Sequence, residues 1–400
     1  MAGAETELGP ALDAELLDKL RVLERAGLRR TLQPLSGRRG ATVQLGERRL
    51  VDFSSNDYLG LASDPRVADA GATALHAAGA GAAAARLISG HHVQHDALER
   101  ELARFCGTDA ALLFPSGYMA NLGAIPALVG SGDAVYSDER NHASLIDGCK
   151  LSRAHVEIVP HGDLAALDRA LAGAAGRFRR RIIVVEGIYS MDGDLYPLAE
   201  LPAVARRHGA WTYVDDAHGF AVLGPTGRGA LERAGVLGEI DVWMGTLGKA
   251  LGAAGAFVTG SRTLVDYLCN RARTFVYTTG SPPAVAAAAR KALEIAAAEP
   301  ELRERLRANA RRLRAGLEAL GRRASGPDDG QIIPVLLGSS ETTMRAGASL
   351  REAGFLVGAV RPPTVPRGSA RLRITVSAAH EMSDIDGLLA ALEAALPARP

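Results

Sequence analysis

The sequence predicts an α/β protein in which a large domain, built on a mostly parallel sheet, is followed by a smaller C-terminal α+β domain. Short apolar runs of strand length alternate with helical stretches in the large domain, as in parallel sheets covered on both faces. Polar residues directly follow several of these runs, where ligands bind in such sheets. Beyond Pro282-Pro283 a long helical region leads to three more strands. The 400 residues suffice for two or three domains. We expect an N-terminal arm over 1–52, a large domain over 53–284 and a C-terminal domain over 285–400.

The N-terminal arm contains one predicted helix over residues 12–28. Its apolar face comprises Leu16, Leu20, Leu23 and Gly27. The helix ends in the basic pair Arg29-Arg30. After a short strand, the segment Phe53–Gly60 is rich in turn formers, and Pro65 opens the next helix. The arm therefore leads directly into the first turns of the large domain.

Eight apolar runs are predicted as strands. They are residues 110–114, 181–186, 211–215, 242–245 and 256–259 in the large domain, and 332–337, 355–360 and 371–376 in the C-terminal domain. The spacing of Leu98, Leu102 and Phe105 indicates a helix before the first strand, ending at Gly107. The Gly- and Ala-rich stretch 79–90 is predicted to be a flexible loop.

The composition is that of a globular protein, with 47% hydrophobic and 23% charged residues. The net charge of +1 gives no electrostatic case for binding nucleic acid or a membrane surface. Cys106, Cys149 and Cys269 are widely spaced and form no Cys-x-x-Cys pair, so we expect neither a disulfide framework nor a structural zinc site. Neither a signal peptide nor an apolar run of about 18 residues is present, and we expect a soluble, cytoplasmic protein.

Two charged residues that follow predicted strands carry the functional hypothesis. Asp215 ends the apolar run 211–214, and a carboxylate at such a position is costly unless a cation meets it. The protonated ring nitrogen of pyridoxal phosphate is such a cation, and pairing with Asp215 lets the ring act as an electron sink. Lys249 lies in a Gly-rich turn after the run 241–244, where partial burial favours the neutral amine that forms a Schiff base. Together these two residues predict a pyridoxal-phosphate site with Lys249 as the Schiff-base lysine.

Three other kinds of site fit the sequence less well. The Gly-Lys pair at Lys249 is not a phosphate-binding P-loop, because Trp243 replaces the required first glycine and Ala250 replaces the required Ser or Thr. His91 and His95 are four apart on a possible helical turn, but no third ligand lies close in sequence, so we expect no bound metal. The chain contains no Gly-x-Ser-x-Gly motif of a serine acyltransferase or thioesterase.

The chain resembles a known family, the α-oxoamine synthases of the fold-type I pyridoxal-phosphate enzymes, from about Phe53 to the C-terminus. The resemblance is carried by Phe53-Ser-Ser-Asn-Asp-Tyr-Leu-Gly60, Ser116-Gly-Tyr118, Asn141-His-Ala-Ser-Leu145, Glu186 with Tyr189-Ser-Met-Asp-Gly-Asp194, Val214-Asp-Asp-Ala-His-Gly219 and Thr246-Leu-Gly-Lys249. It implies the fold of a fold-type I PLP-dependent transferase. Because Lys249 is present, an inactive family member serving as a regulatory subunit is disfavoured.

The resemblance also implies roles for single residues. Lys249, His142 and Asp215 are the implied catalytic residues, and His142 is expected to stack on the pyridine ring. The residues implied to bind the cofactor are Lys249, Asp215, His218, His142, Ser190, Thr246, Ser116, Gly117, Tyr118 and Glu186, with Thr278 or Thr279 supplied by a second subunit. The residues implied to bind substrate are Asn56, Arg373 for the amino-acid carboxylate, and Arg361 and Arg30 for the acyl end, where Arg29 is an alternative to Arg30.

A finer resemblance concerns the substrates. The segments 361–374 and 377–382 are most similar to family members that join L-alanine to a pimeloyl thioester, carried on coenzyme A or on acyl carrier protein. Glycine C-acetyltransferase, 5-aminolevulinate synthase and serine palmitoyltransferase are sister enzymes that share much of the core, and they remain alternatives. The resemblance further implies a homodimer with active sites at the subunit interface.

Overall fold

The computed structural model describes residues 10–396. Within that range the strands are β1 (Leu35–Arg39), β2 (Thr42–Leu45), β3 (Arg48–Asp52), β4 (Ala110–Phe114), β5 (Ala134–Asp138), β6 (His155–Val159), β7 (Arg181–Glu186), β8 (Trp211–Asp215), β9 (Val242–Thr246), β10 (Ala256–Gly260), β11 (Ile332–Gly338), β12 (Phe355–Leu356), β13 (Gly358–Val360) and β14 (Ala370–Thr375). The α-helices are α1 (Pro10–Arg25), α2 (Pro65–Ala78), α3 (Val93–Cys106), α4 (Gly117–Leu128), α5 (Ala143–Leu151), α6 (Leu164–Gly173), α7 (Leu201–His208), α8 (Gly229–Arg233), α9 (Arg262–Arg271), α10 (Arg273–Val276), α11 (Pro283–Ala298), α12 (Pro300–Ala319), α13 (Ser340–Glu352) and α14 (Met382–Ala395). A 3₁₀ turn spans Leu61–Ser63, and a π-helical turn spans Arg86–Gly90.

Seven strands form the central sheet, in the order β4-β10-β9-β8-β7-β5-β6. Only β10 runs against the others, since it pairs antiparallel with both β4 and β9. Alternate side chains of one strand enter two different apolar clusters: Ile183 and Val185 of β7 lie in one, Ile182 and Val184 in the other. The sheet is therefore buried on both faces, as expected for parallel strands covered by helices. The predicted α/β architecture with a mostly parallel sheet is confirmed.

The five strands predicted in the large domain are all present, and none of their ends differs from the prediction by more than one residue. The sequence did not indicate β5 and β6. Strand β6 lies at the edge of the sheet and is only partly buried, so it lacks a continuous apolar run. Strand β5 is fully buried but ends in Ser137-Asp138, whose polarity hides the strand pattern.

Helix ends follow local signals in the sequence. The side chain of Asp64 accepts the N–H of Arg66 at 2.8 Å and so caps α2. Gly107 ends α3 in the left-handed conformation, with φ of 75°, which glycine adopts without steric cost. The stretch 79–90, predicted as a flexible loop, closes with the π-helical turn, where Arg86 pairs with Glu99 at 2.7 Å.

The strand predicted over residues 355–360 is wrong as a single strand. Its first two residues, β12, pair in parallel with β3 in a four-stranded sheet of order β1-β2-β3-β12. Its last three residues, β13, pair antiparallel with β14 in the sheet β11-β14-β13. Val357 is buried between these two segments, and the chain changes sheet at this point.

The division of the chain into domains at residues 52 and 284 stays a prediction.

The carboxyl ends of the parallel strands meet at one edge of the central sheet. Asp138 ends β5, Glu186 ends β7, Asp215 ends β8 and Thr246 ends β9. Four polar side chains from distant parts of the sequence are thereby placed along this edge.

Candidate active site

A pocket opens at the carboxyl edge of the central sheet. It is lined by Gly117, Tyr118, Asn121, His142, Ser144, Glu186, Asp215, Ala217, His218, Met244, Thr246 and Lys249. The eight that the sequence had indicated as cofactor ligands are Gly117, Tyr118, His142, Glu186, Asp215, His218, Thr246 and Lys249. The structure thus brings Gly117 and Lys249 into one pocket, although they lie 132 positions apart in sequence.

Asp215 presents a carboxylate that is fixed by two donors. Its Oδ1 accepts the N–H of Ala217 at 3.0 Å, and its Oδ2 accepts Nδ2 of Asn121 at 2.8 Å. Asn121 is fully buried, and its own Oδ1 accepts the hydroxyl of Tyr213 at 2.7 Å. A hydrogen bond to a charged group typically contributes about 1.5–3 kcal/mol. The carboxylate is therefore a fixed anion in the pocket wall, suited to a protonated ring nitrogen.

The same network reaches His142 through Ser144. Asn121 Nδ2 donates to Ser144 Oγ at 2.9 Å, which leaves the hydroxyl proton of Ser144 for Nδ1 of His142 at 2.8 Å. The backbone N–H of Ser144 also donates to that nitrogen at 3.2 Å. Nδ1 is thus an acceptor, and a neutral His142 carries its proton on Nε2. Burial lowers the pKa of His142, Asp215 opposes this change, and Lys249 adds to it. A neutral ring of this kind can stack on an aromatic cofactor.

Glu186 holds the backbone of His142 in place through a hydrogen bond. Its Oε1 accepts the backbone N–H of His142 at 2.6 Å. Burial raises the pKa of Glu186 well above its usual range, and the negative charge of Asp215 adds to the effect. The carboxyl group is therefore a positioning group at the start of α5.

Lys249 lies half-buried in the turn after β9. Among residues 10–396 no acceptor takes a hydrogen bond from its Nζ. Burial lowers the pKa of Lys249, while the carboxylates of Asp215 and Glu186 oppose this change. Because a neutral amine is both a nucleophile and a base, this lysine is poised for covalent chemistry.

The amino end of α4 forms another part of the pocket wall. Ser116 caps the helix, because its Oγ accepts the N–H of Met119 at 3.2 Å. The N–H groups of Gly117 and Tyr118 have no acceptor within the described chain, as is usual in the first helical turn. A Cβ at Gly117 would lie 2.9 Å from Cε of Met244, another residue of the pocket wall. Two free N–H groups at a helix start suit a phosphate group.

Thr246 has its hydroxyl engaged inside the protein. Its Oγ1 donates to Gly255 O at 3.0 Å and accepts the N–H of Gly248 at 3.3 Å. Thr246 therefore shapes the turn that carries Lys249. Its predicted role in binding the cofactor stays a prediction.

A second group of predicted residues surrounds His218. Nδ1 of His218 lies 2.6 Å from the hydroxyl of Tyr58, which donates to Asn56 Oδ1 at 3.1 Å. Arg373 Nη2 donates to the same Asn56 oxygen at 3.2 Å, and Arg373 Nε donates to Ser190 O at 2.5 Å. These contacts connect Asn56, Ser190 and Arg373 to the pocket although none of the three lines it.

Burial controls the protonation of this second group. Burial lowers the pKa of His218 well below its usual range, and the charges of Lys249 and Arg373 add to the effect. Burial also raises the pKa of Tyr58 to about 12. At neutral pH His218 and Tyr58 are therefore both uncharged.

Thr278 and Thr279 lie away from the pocket within the single chain. They line a separate cavity, together with Arg86 and His95. Nothing in the described chain brings them to Lys249. Their contribution to the site of a second subunit stays a prediction.

The arginines predicted for the acyl end meet each other outside the pocket. Arg361 Nε donates to Gly27 O at 2.8 Å, and Arg361 Nη2 donates to Arg29 O at 3.3 Å. Arg30 Nη2 donates to Thr364 Oγ1 at 2.9 Å. The N-terminal arm thus rests on the segment that carries Arg361, and the roles of these arginines in binding substrate stay predictions.

Sequence reasoning missed Asn121, Ser144 and Asp216. Asn121 stands four residues after Gly117 on α4, which is the spacing of one helix face, so a signal for it was available. Asp216 is fully buried behind the pocket, where its Oδ2 accepts the N–H of Ala230 at 2.8 Å. Asp215 was indicated because it ends the apolar run 211–214, and in the structure Asp215 lines the pocket whereas Asp216 does not.

The residues present fit pyridoxal phosphate. The pocket offers a fixed carboxylate, a half-buried amine, a neutral imidazole and two free N–H groups at a helix start. The carboxylate matches the cationic ring nitrogen, and the amine matches the aldehyde. The imidazole matches the aromatic face, and the N–H groups match the phosphate.

Two kinds of feature are missing from residues 10–396. No three His, Cys, Asp or Glu side chains there group as metal ligands. His95 Nε2 instead donates to Ser281 O at 2.8 Å, and His92 caps α3. No helix in the same range has the length and apolarity needed to cross a membrane.

The chain is similar to known proteins over most of its length. Residues 48–392 match the family model described as aminotransferase class I and II. A curated 8-amino-7-oxononanoate synthase of Anaeromyxobacter dehalogenans is 51% identical over 385 residues, which are 96% of this chain and 95% of that protein. A protein of the same name from Methylococcus capsulatus is 54% identical over 348 residues, 87% of this chain and 89% of the relative.

Solved structures agree with this similarity. A serine palmitoyltransferase of S. paucimobilis with bound PLP-myriocin aldimine superposes with a TM-score of 0.90 at 33% identity, covering 96% of this chain and 97% of that one. The 8-amino-7-oxononanoate synthase of Francisella tularensis superposes with a TM-score of 0.75 at 28% identity, covering 86% and 97%. The predicted fold of a fold-type I PLP-dependent transferase is confirmed. The protein belongs to the aminotransferase class I and II family and, within it, to the 8-amino-7-oxononanoate synthases.

Proposed function

We propose that the protein condenses L-alanine with a pimeloyl thioester to give 8-amino-7-oxononanoate, carbon dioxide and a free thiol. This is a step of biotin biosynthesis. The thioester is carried on coenzyme A or on acyl carrier protein. The similarity to relatives named for this product supports the choice of reaction.

The observation that carries the proposal is the state of Lys249. This amine is half-buried, has no hydrogen-bond acceptor among the described residues and shares one pocket with the fixed carboxylate of Asp215. A surface lysine would instead be charged and solvated. A lysine so placed is suited to hold pyridoxal phosphate and to move protons at a bound substrate.

Several residues of this chain would hold pyridoxal phosphate. Asp215 would pair with the ring nitrogen, His142 would lie against the ring, and Gly117 and Tyr118 would donate their N–H groups to the phosphate. Lys249 would bind the aldehyde carbon. When bound, the cofactor supplies an electron sink that stabilises negative charge at the amino-acid α-carbon.

Lys249 would move the proton at that carbon. Burial favours its neutral form, which can accept the α-proton of alanine and return a proton to the same carbon after carbon dioxide has left. Between these two events the α-carbon forms a bond to the thioester carbonyl, the carbon–sulfur bond breaks, and the sulfur leaves as a thiolate that takes its proton from solvent. One proton is taken and one is returned, so the amine is regenerated.

Arg373 would orient the alanine carboxylate. Its guanidinium is buried and fixed at two nitrogens, Nε by Ser190 O and Nη2 by Asn56 Oδ1. A guanidinium held at one side can present its remaining donors to a carboxylate in a single orientation.

The substrate pair is tested by thiol release from acetyl-, succinyl-, pimeloyl- and palmitoyl-CoA with alanine, glycine or serine. Release confined to pimeloyl-CoA with alanine is expected. A preference for palmitoyl-CoA with serine would favour the second candidate, a serine palmitoyltransferase, which has support from the structural similarity at 33% identity. A preference for acetyl-CoA or succinyl-CoA with glycine would assign one of the other sister reactions. Repeating the assay with pimeloyl-acyl carrier protein decides between the two carriers.

The role of Lys249 is tested by Lys249→Ala, with the exposed Lys150→Ala as control. After borohydride reduction in the presence of pyridoxal phosphate, mass spectrometry should find the cofactor on the wild type and on the control but not on Lys249→Ala. Lys249→Ala should also release no thiol. Turnover that survives in Lys249→Ala would contradict the mechanism.

We also propose that the enzyme acts as a cytoplasmic homodimer whose active sites lie at the subunit interface. The three cysteines are unpaired, and Cys106 and Cys149 are buried, which is consistent with a reducing compartment. Thr278 and Thr279 lie outside the pocket of their own chain, as expected if they serve a partner's pocket.

A further inference from the structure

His161 lies outside the pocket, between two carboxylates from different elements. Its Nδ1 is 2.9 Å from Oδ1 of Asp138 at the end of β5, and its Nε2 is 2.5 Å from Oδ2 of Asp194 in the turn after β7. Asp138 is also fixed by the backbone, because it accepts the N–H of Arg140 at 2.9 Å and of Gly162 at 3.0 Å. The imidazole therefore connects a rigid strand end to a turn.

Both ring nitrogens of His161 must carry protons. An ionised carboxylate accepts hydrogen bonds and cannot donate, so each of the two contacts requires an N–H on the ring. Burial alone would lower the pKa of His161, but the hydrogen bonds to Asp138 and Asp194 outweigh it and raise the pKa to about 9. The ring edge also packs on Tyr189, with centroids 4.4 Å apart.

The turn held by His161 is the segment that carries Ser190. It is closed by Tyr189 N–H to Asp194 O at 3.0 Å and Gly193 N–H to Tyr189 O at 2.8 Å. On its far side, Arg373 binds Ser190 O. Oδ1 of Asp194 has no partner, and among the described residues His161 is the only side chain that donates to this carboxylate. Asp192 in the same turn is held separately, by Arg371 and by Arg140, whose Nη1 lies 3.7 Å from Asp192 Oδ2. His161 is therefore the contact that holds the Asp194 end of the turn.

We propose that protonated His161 is a positioning residue that clamps the Tyr189–Asp194 turn to the end of β5 and thereby sets where Ser190 meets the cofactor. The link to the cofactor rests on the proposed function, in which Ser190 contacts pyridoxal phosphate. The clamp itself rests on the contacts of His161 alone.

The clamp has a defined pH range. The groups that face His161 are Asp138 with the nearby Arg140, and Asp194, Tyr189 and Tyr196 from the segment after β7. Burial raises the pKa of both tyrosines, so they stay neutral where His161 titrates. A raised histidine pKa means that the contribution is complete below about 6.5 and is lost as the pH rises through about 9.

The test compares His161→Gln with His208→Gln. His208, the last residue of α7, makes a similar contact, since its Nε2 is 2.9 Å from Oδ1 of Asp168 on α6, away from the turn. Hydrogen exchange of residues 188–196, corrected for intrinsic rates, should increase about tenfold at pH 7 in His161→Gln and stay unchanged in His208→Gln. Wild type and His161→Gln should converge above pH 9. Unchanged exchange in His161→Gln would overturn the clamp. If that variant does not fold, Asp194→Asn, which keeps the side chain's size but not its charge, takes its place.

The link to Ser190 is tested by titrating the apoproteins with pyridoxal phosphate. Ser190→Ala and His161→Gln should each weaken binding about tenfold, and the double variant should be no weaker than the weaker single variant. Additive losses would overturn action through Ser190. Another outcome is that Ser190→Ala binds pyridoxal phosphate as tightly as the wild type while hydrogen exchange of residues 188–196 is faster in His161→Gln. In that case the cofactor role of Ser190 is wrong, and so is the link from His161 to the cofactor. Thiol release is measured in the same His161→Gln protein. If thiol is still released, the proposed reaction stands even when the link through Ser190 fails.

Discussion

At the scale of single residues, Asn121 is the group on which two functional side chains depend. It donates to Asp215 at 2.8 Å and to Ser144 at 2.9 Å, and Ser144 in turn contacts His142. The anion and the neutral imidazole of the pocket are thereby oriented by one buried amide. A carboxamide can do this because it offers two donors and an acceptor in one plane.

Replacing Asn121 by Leu should weaken binding of pyridoxal phosphate by about 30-fold. The change leaves Asp215 with one donor fewer and Tyr213 without its acceptor, and each buried unsatisfied group costs about 1–3 kcal/mol. The measurement is a titration of the apoprotein with cofactor, together with the free energy of unfolding. Asn270→Leu is the matched control, since Asn270 is exposed and contacts only the backbone of Asp266. Equal affinity in the Asn121 and Asn270 variants would show that the network is dispensable.

At the scale of elements, the turn after β8 is organised around the buried Asp216. Three glycines surround its carboxyl group: a Cβ at Gly187 would lie 2.5 Å from it, at Gly219 2.0 Å and at Gly229 1.8 Å. Burial raises the pKa of Asp216 well above its usual range. The backbone therefore approaches this side chain more closely than any residue with a Cβ would permit.

Gly229→Ala should destabilise the fold more than Gly235→Ala. Both glycines have positive φ, 80° and 73°, so both variants bear the strain of a left-handed L-residue, about 1–2 kcal/mol. Only at position 229 does the new methyl group overlap Asp216, because nothing lies within 4 Å at position 235. We expect a further loss of about 1–3 kcal/mol in the free energy of unfolding, measured by urea denaturation. Equal losses in the two variants would contradict the close approach.

At the scale of the whole molecule, two features of the single chain are consistent with the proposed homodimer. Thr278 and Thr279 line a cavity separate from the pocket that contains Lys249. The apolar face predicted for the first helix is exposed on α1, with Leu16 at 44% and Leu23 at 41%. Exposed apolar faces of this kind often mark subunit contacts.

Hybrid dimers test this arrangement. Lys249→Ala should be inactive, and Thr278→Ala/Thr279→Ala should bind cofactor weakly, since its pockets lose their hydroxyl ligands. When the two variants are coexpressed, the hybrid has one pocket with both defects and one with neither, so thiol release should reappear. Differently tagged subunits allow the hybrid to be purified, and sedimentation establishes that it is a dimer. If the threonines serve their own chain, every pocket keeps a defect and the hybrid gains no activity.

The residues that end buried strands could be predicted from the sequence alone. Asp215 and Lys249 were indicated because each follows an apolar run, and a charge at the end of a buried strand requires a partner. Strand bounds such as 181–186 were correct because a strand buried on both faces is usually apolar along most of its length. These signals are local, and a single stretch of chain carries each of them.

Other features depend on contacts between distant segments. The split of residues 355–360 between two sheets depends on the positions of β3 and β14, which no local pattern encodes. The bridge from His161 to Asp194 spans 33 residues, and that from Asn121 to Asp215 spans 94. A short polar side chain has the same local signature whether it meets solvent or a buried partner. The sequence by itself therefore determined the chemistry of the pocket and the family, and only the tertiary structure decided which buried groups hold that chemistry in place.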